Sequence, residues 1–130
     1  MHVERIAAPS DAPAVLRALG AATALLRLPP HAALTGDWFG SRAVIAPSVA
    51  IREVAAAAAF GVAPGAGGPA IGGGWIGYLS YPDAGADGCG PRIAEAAGGW
   101  TDSVLRQDQD GDWWYESLSG ATMPDWLATA

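Results

Sequence analysis

The chain has 130 residues, of which 51% are hydrophobic and 15% charged, and its formal net charge is -6. This length is enough for one domain with a modest core and too short for two. The basic residues are seven arginines, scattered between Arg5 and Arg106, and an acidic domain of this kind repels phosphate backbones. Nucleic acid is therefore not an expected partner.

Two residue types limit the chemistry of the chain. It contains no lysine, which excludes Schiff-base and lysine-nucleophile mechanisms, and Cys89 is its only cysteine, which excludes an intramolecular disulfide. The N-terminal residues lack the basic flank and apolar core of a signal peptide. The most apolar run, residues 54–63, is too short to span a bilayer. We therefore expect a cytoplasmic protein with no membrane partner.

The N-terminal part predicts a short strand followed by a helix. Residues 3–7 fit the strand, and Ser10 or Asp11 is a suitable helix cap, with Pro13 tolerated in the first turn. An apolar stripe at helical spacing follows and ends before Pro29–Pro30, and its members are Val15, Leu19, Ala22 and Leu26. Gly20 costs this helix about 1 kcal/mol relative to alanine, so packing must hold it.

Further strands are predicted at residues 33–35 and 43–46, beside the turn-like pairs Gly36–Asp37 and Gly40–Ser41. The next region leaves two alternatives open. Ser48 is a suitable cap for a helix reaching Phe60, whereas residues 51–54 fit a strand equally well. Residues 61–74 are rich in glycine and proline, a composition typical of a flexible loop.

The stretch GGGWIGYLSY at residues 72–81 matches the dinucleotide-binding pattern G-x-G-x-x-G. That motif works only after a buried strand and before a helix, whose first amides bind the phosphates. Here a loop precedes the glycines, and aromatic and aliphatic residues follow until Pro82. The pattern predicts a strand over 75–81, with Gly77 marking a bulge or the close passage of another backbone. Because both faces carry large apolar groups, we expect this strand to be central and covered on both sides. A chain of this size is small for covering both faces alone, so we expect the isolated chain to expose an apolar patch and to be marginal, self-associating or dependent on a partner.

Residues 106–111, RQDQDG, resemble the start of a calcium-binding loop. Arg106 stands where the first carboxylate ligand belongs, and Ser117 stands where the bidentate glutamate belongs, so too few oxygens remain. Asp110–Gly111 lies instead between apolar runs at 104–105 and 113–115, which predicts a hairpin.

The remaining candidates indicate no catalytic centre. His2 and His31 lie far apart without a partner at metal-ligand spacing, and Ser80 lacks the surrounding nucleophile-elbow motif. Nothing near Cys89 would activate its thiol. We therefore assign no catalytic, cofactor-binding or metal-binding residue to this chain. Most of the six tryptophans are expected in the core or on sheet faces.

Three segments together resemble a known family. In chain order they are LTGDWFGSRAVIAPS (34–48), GGGWIGYLSYP (72–82) and SVLRQDQDGDWWYES (103–117). They resemble the N-terminal portion of component I of aminodeoxychorismate synthase and of its relative, anthranilate synthase. The middle segment is the most specific match, and its family-like strand positions are Gly74, Trp75, Gly77, Tyr78 and Tyr81. The resemblance implies an α+β fold, with an antiparallel sheet and one or two helices, that packs with a larger C-terminal part.

The resemblance also implies a reaction that this chain does not perform alone. Component I uses magnesium and ammonia to convert chorismate into aminodeoxychorismate, for p-aminobenzoate and folate, or into anthranilate, for tryptophan. The chorismate site, the magnesium carboxylates and, in the folate branch, a nucleophilic lysine belong to the C-terminal catalytic domain. Residues 1–130 would form a single N-terminal-type domain, either a fragment or a split subunit, that is inactive alone and holds no cofactor. The implied partners are the chorismate-binding domain and, through it, a glutamine amidotransferase subunit.

One departure concerns effector binding. Members of the family that sense tryptophan carry a Leu-Leu-Glu-Ser-like motif on an early strand. The nearest match here, Leu34–Thr35–Gly36–Asp37, lacks the glutamate and the serine, so these residues are at most a remnant of that pocket. The departure favours the folate branch. A rival hypothesis is a free-standing module, without chemistry, that binds an aromatic amino acid or a protein partner.

Overall fold

The computed structural model describes residues 1–8, 11–55, 71–79 and 96–130. These ranges form a small α+β protein with antiparallel sheets and two helices, which confirms the expected fold class at that level. The elements in chain order are β1 (His2–Ile6), α1 (Ala12–Leu26), β2 (Ala32–Trp38), β3 (Ser41–Ala46), β4 (Arg52–Glu53), β5 (Gly74–Leu79), β6 (Ala96–Thr101), β7 (Ser103–Gln107), β8 (Trp113–Ser117) and α2 (Asp125–Ala128).

The strands form two sheets joined by one sharp corner. Sheet A has the order β1-β8-β7-β3-β2, and sheet B has the order β4-β6-β5. Asp102 alone separates β6 from β7, so the chain passes directly from sheet B into sheet A at this residue. The Asp102 carboxylate accepts hydrogen bonds from the Ser117 hydroxyl and from the amide and hydroxyl of Ser119, which fixes the corner to the end of β8.

One face of sheet A carries the hydrophobic core. Successive strand residues point to opposite faces, so alternate positions of β3, β7 and β8 are directed at the helices. The buried cluster contains Val15 and Leu19 of α1, Leu127 of α2, and the strand residues Ala43, Ile45, Leu105, Trp113 and Tyr115. The opposite face of sheet A is therefore left for sheet B and the segment leading into it.

Helix α1 begins and ends as its sequence predicts, but its buried stripe differs. The Asp11 carboxylate accepts a 2.7 Å hydrogen bond from the Ala14 amide, and Arg27 ends the helix in a left-handed conformation. The buried residues are Val15, Leu19 and Thr23, whereas Leu26 is 49% exposed, so the predicted stripe is wrong in its last turn. Thr23 can be buried because its hydroxyl donates to the Leu19 carbonyl oxygen at 2.8 Å.

The two alternatives for residues 48–55 are resolved in favour of the strand. The Ser48 hydroxyl donates to the Pro29 carbonyl oxygen, and the Val49 amide donates to the Pro30 carbonyl oxygen. Ser48 therefore does not cap a helix. Strand β4 then pairs with β6. The helix prediction is therefore wrong over its described residues, and positions 56–60 lie outside the described ranges.

Strand β5 confirms the predicted strand over Gly74–Leu79, and Tyr81 lies outside the described residues. Its register with β6 is continuous, so Gly77 is not a bulge. The close passage of another backbone is confirmed, since a Cβ at Gly77 would lie 2.2 Å from the Ala97 carbonyl oxygen. Among the described strands β5 is the edge strand of sheet B and not a central one. Tyr78 and Leu79 are 40% and 50% exposed, which agrees with the apolar patch expected of the isolated chain. Trp75 accounts for part of the apolar character of β5, because its indole lies over glycines of its own sheet.

The predicted hairpin at Asp110–Gly111 is confirmed by the antiparallel pair β7 and β8. Asp108 organises the turn. One carboxylate oxygen accepts from the amides of Asp110 and Asp112, and the other accepts from the indole N–H of Trp114. Gly111 has a φ of +89°, which favours glycine. The carboxylate that resembled a calcium ligand is therefore engaged in holding the turn.

Candidate functional site

The main candidate site is a cleft of about 390 Å³ between sheet A and β5, called the aromatic cleft below. Its floor is the face of sheet A opposite the helices, where Leu34, Val44 and Val104 lie on neighbouring strands. The described residues that line it are Leu34, Trp38, Phe39, Val44, Ile71, Gly73, Gly74, Trp75, Ile76, Gly77, Thr101 and Val104.

The tip of the β2–β3 hairpin forms one rim of the aromatic cleft. Phe39 and Gly40 both have positive φ, 54° and 73°, and Trp38 pairs with Ser41, so the connection is a two-residue type I′ turn. Positive φ is unusual for a bulky side chain, and Phe39 is 76% exposed. Trp38 is held by a 2.9 Å hydrogen bond from its indole N–H to the Thr35 carbonyl oxygen. The hairpin thus presents two aromatic rings at the rim, one of them on a strained backbone.

Trp75 forms the opposite wall, and two glycines make room for its ring. A Cβ at Gly98 would lie 2.1 Å from the indole, and one at Gly77 would lie 2.5 Å from it. These two glycines face each other across the β5–β6 pair. The ring therefore lies flat on sheet B only because neither strand has a side chain at this position.

The aromatic cleft suits binding and not chemistry. Among the described lining residues none carries an acidic or basic side chain, and the hydroxyl of Thr101 already donates to the Ser103 carbonyl oxygen at 2.7 Å. Apolar walls with aromatic rings and few polar groups are typical of small-molecule pockets of 300–1,000 Å³. A flat apolar or aromatic group is the chemical class that these walls fit.

A second apolar depression lies beside the helices, with a volume of about 560 Å³. Its walls are mostly alanines of α1 together with Leu25, Leu26 and Trp126. Leu25 is 83% exposed, which shows that this groove is shallow on its helix side. Of the described side chains that line it, Thr129 has the hydroxyl, and that hydroxyl already donates to backbone carbonyl oxygens.

A buried charge network adjoins the aromatic cleft. The Glu116 carboxylate has no exposed surface, and one of its oxygens accepts from Arg106 Nε at 2.6 Å. The other oxygen accepts from the backbone amides of Ile71 and Gly72 at 2.6 and 2.9 Å. Ile71 is itself part of the cleft lining. The network thus joins β7 and β8 to the glycine-rich segment that enters β5.

Two other carboxyl groups have lowered pKa values. The hydroxyl of Ser119, with smaller contributions from Ser117 and the Ser119 amide, lowers the pKa of Asp102 against the opposing effect of burial. The Trp114 indole N–H, helped by backbone amides and the Arg106 charge, lowers the pKa of Asp108 against burial. Both carboxylates stabilise turns in the sheets and lie outside the cleft lining.

The structure brings together some of the residues singled out in the sequence. Of the possible effector remnant, Leu34 lines the aromatic cleft, Thr35 supplies the carbonyl bonded to Trp38, Gly36 lies in a bulge and Asp37 is exposed. Of the family-like strand positions, Gly74, Trp75 and Gly77 line the cleft and Tyr78 does not. Sequence reasoning missed Trp38, Phe39 and Glu116. A signal for the first two was an aromatic pair directly before Gly40, at the tip of a predicted hairpin.

The described ranges hold no group of three or more histidine, cysteine, aspartate or glutamate side chains arranged for a metal ion. Ser80 and Cys89 lie outside these ranges. Among the described helices none is long and apolar enough to cross a membrane. Comparisons with protein-family models, curated proteins and solved structures gave no match to this chain. Function is therefore inferred from the residues and their geometry.

Proposed function

We propose that this chain is the N-terminal, non-catalytic portion of an aminodeoxychorismate synthase component I. The observation that supports the proposal is the meeting of the three family-like segments around one cleft. Segment 34–48 supplies the hairpin tip and part of the floor, segment 72–82 supplies the Trp75 wall, and segment 103–117 supplies Val104.

Direct contacts between the segments add to this support. The first and third segments are paired strands, since Ala43, Val44 and Ile45 of β3 are in register with Gln107, Arg106 and Leu105 of β7. The third segment contributes Glu116, which binds the Gly72 amide of the second. In the proposed role, this unit serves as a scaffold for a chorismate-binding domain that supplies the magnesium site and the chemistry.

The DNA that follows codon 130 tests the proposal directly. We expect a reading frame, continuous or separate, that encodes a chorismate-binding domain. That domain, expressed with this chain, should convert chorismate to aminodeoxychorismate with magnesium and ammonium, and should lose activity when the chain is omitted. An unrelated downstream reading frame would contradict the proposed role. So would a catalytic domain whose activity is the same with and without this chain.

The aromatic cleft favours a second candidate function, a module that binds an aromatic amino acid without chemistry. Its volume of about 390 Å³ and its three aromatic lining residues, Trp38, Phe39 and Trp75, fit a ligand of that class. Titration calorimetry with L-tryptophan and L-phenylalanine tests this candidate. Saturable heat that Phe39→Ala weakens and Leu25→Ala leaves unchanged would favour binding, because Leu25 is exposed on α1 outside the cleft. No heat with either amino acid would remove this candidate.

A further inference from the structure

Glu116 presents an unusual problem for a strand residue. It is fully buried, and it lies on the face of sheet A opposite the hydrophobic core, in register with Val104 and Val3. A buried carboxylate is unfavourable unless opposite charge and hydrogen-bond donors replace the lost water. The donors here are Arg106 Nε and the amides of Ile71 and Gly72. Two of these three donors therefore come from outside sheet A.

The glycine-rich segment is shaped to bring those amides close. A Cβ at Gly72 would lie 2.7 Å from Leu118 Cδ2, and one at Gly73 would lie 2.5 Å from the Thr101 carbonyl oxygen. Gly72 also has a φ of +79°, which other residues rarely adopt. Glycine is thus required because the backbone runs against the end of β8 and the β6–β7 corner. The amides in this glycine-rich motif do bind an anion, and the anion is the protein's own carboxylate.

We propose that Glu116 is an internal ligand that latches residues 71–74, and with them β5, onto sheet A. Detaching residues 71–74 would leave the Glu116 carboxylate with Arg106 alone. The buried charge of Glu116 therefore favours the position in which the segment is attached. Because Ile71, Gly73 and Gly74 line the aromatic cleft, the same latch sets the position of one cleft wall. Its release opens the cleft while the helix-covered core of sheet A stays folded. This inference does not depend on the proposed function.

Glu116→Ala with chemical rescue by acetate tests the latch in the full chain. The substitution removes a CH2–COO⁻ group, which acetate reproduces in shape and charge. Amide hydrogen exchange should accelerate about a hundredfold for β5 residues while amides of β3, such as Ile45, keep their protection. Sodium acetate at 0.1 M, on the order of ten times a weak-site Kd, should slow this exchange about tenfold, whereas an equal concentration of chloride should not.

Two controls make each outcome decisive. Glu4→Ala, which removes an exposed carboxylate of β1, should show neither the accelerated exchange nor a response to acetate. Glu116→Gln keeps the side-chain volume, so it serves where Glu116→Ala does not fold. It should loosen β5 selectively and ignore acetate, because its amide still fills the site. Uniform acceleration across both sheets, or unchanged exchange in β5, would overturn the proposal.

Discussion

Phe39 is the residue whose backbone most clearly conflicts with its side chain. It has a φ of 54° and precedes Gly40 in a two-residue turn, a position at which asparagine is strongly preferred. Phe39→Asn should therefore raise the free energy of unfolding by about 0.5–1 kcal/mol, measured by urea denaturation. The ring is 76% exposed, so little burial is lost with it.

Phe39→Ala separates backbone strain from ring exposure, because alanine removes the ring but disfavours the same φ. We expect no gain in stability from this variant. If Phe39→Ala stabilises the protein as much as Phe39→Asn, then relief of backbone strain at the positive φ does not cause the gain in stability. A loss of stability in both variants would mean that the ring contributes packing at the rim of the aromatic cleft.

Asp108 is the second residue with a measurable consequence. Asp108→Ala removes the acceptor for Trp114 and for two backbone amides, and should cost about 1–2 kcal/mol at pH 7. Since the folded-state pKa of Asp108 lies below its ordinary value of 3.8, this stabilisation is complete above that value. It is lost as the pH falls through the folded-state pKa.

Urea denaturation of the wild type and Asp108→Ala at pH 7, 5 and 3 checks the sign of this effect. The difference between the two proteins should hold from pH 7 to 5 and shrink at pH 3. Asp110→Ala is the matched control, because the Asp110 side chain is exposed in the same turn, and it should change stability by less than about 0.5 kcal/mol. A difference that grows on acidification would show that the charged form of Asp108 is not the stabilising one.

At the scale of elements, two glycines are expected to respond in opposite ways to alanine. A Cβ at Gly20, inside α1, would lie 3.5 Å from the His31 ring, an ordinary contact, so Gly20→Ala should stabilise by about 0.5–1 kcal/mol. A Cβ at Gly98 would displace the Trp75 indole, so Gly98→Ala should destabilise by about 1–3 kcal/mol. Urea denaturation gives both values, and near-UV circular dichroism should change only for Gly98→Ala. An unchanged spectrum there would contradict the placement of the indole.

Two leucines on different sheets form a matched pair. Leu79 is 50% exposed at the end of β5, whereas Leu105 is 3% exposed in the core. Leu105→Ala should cost about 2–4 kcal/mol, and Leu79→Ala less than about 1 kcal/mol, both measured by urea denaturation. Leu79→Asp should likewise leave the chain folded, in contrast to what a covered central strand would predict. Equal costs for the two alanine variants would show that β5 is covered in solution.

The sequence predicts the elements of sheet A better than those of sheet B, for a physical reason. The strand at residues 43–46, the Asp11 cap and the Asp110–Gly111 turn are local features, and each is present in the structure. The position of β5 depends instead on Gly98 and Glu116, which belong to other strands far along the chain. The aromatic cleft is equally non-local, since its walls come from three separated segments. The periodicity of apolar residues within one segment cannot reveal a contact that is possible only because a distant residue is glycine.

For the molecule as a whole, we predict that the isolated chain does not convert chorismate. Catalysis on chorismate requires magnesium ligands and an acid, a base or a nucleophile placed together, and the described residues of the aromatic cleft offer none. Purified chain incubated with chorismate, magnesium and ammonium should give no aminodeoxychorismate or anthranilate above background, measured by chromatography. A purified synthase component I serves as the positive control. Product that depends on the chain would mean that residues outside the described ranges carry a catalytic site.

The pairing of β1 with β8 has a consequence for how the chain folds as it is synthesised. His2 is in register with Ser117, so the outermost strand of sheet A meets its partner only after more than a hundred further residues have left the ribosome. Helix α1 and the β2–β3 hairpin can form early, but their apolar faces have no complete sheet to cover them until β7 and β8 emerge. Long-range pairing of this kind slows folding and prolongs the exposure of apolar surface. The nascent chain is therefore most open to aggregation or chaperone binding before Trp113–Ser117 appears.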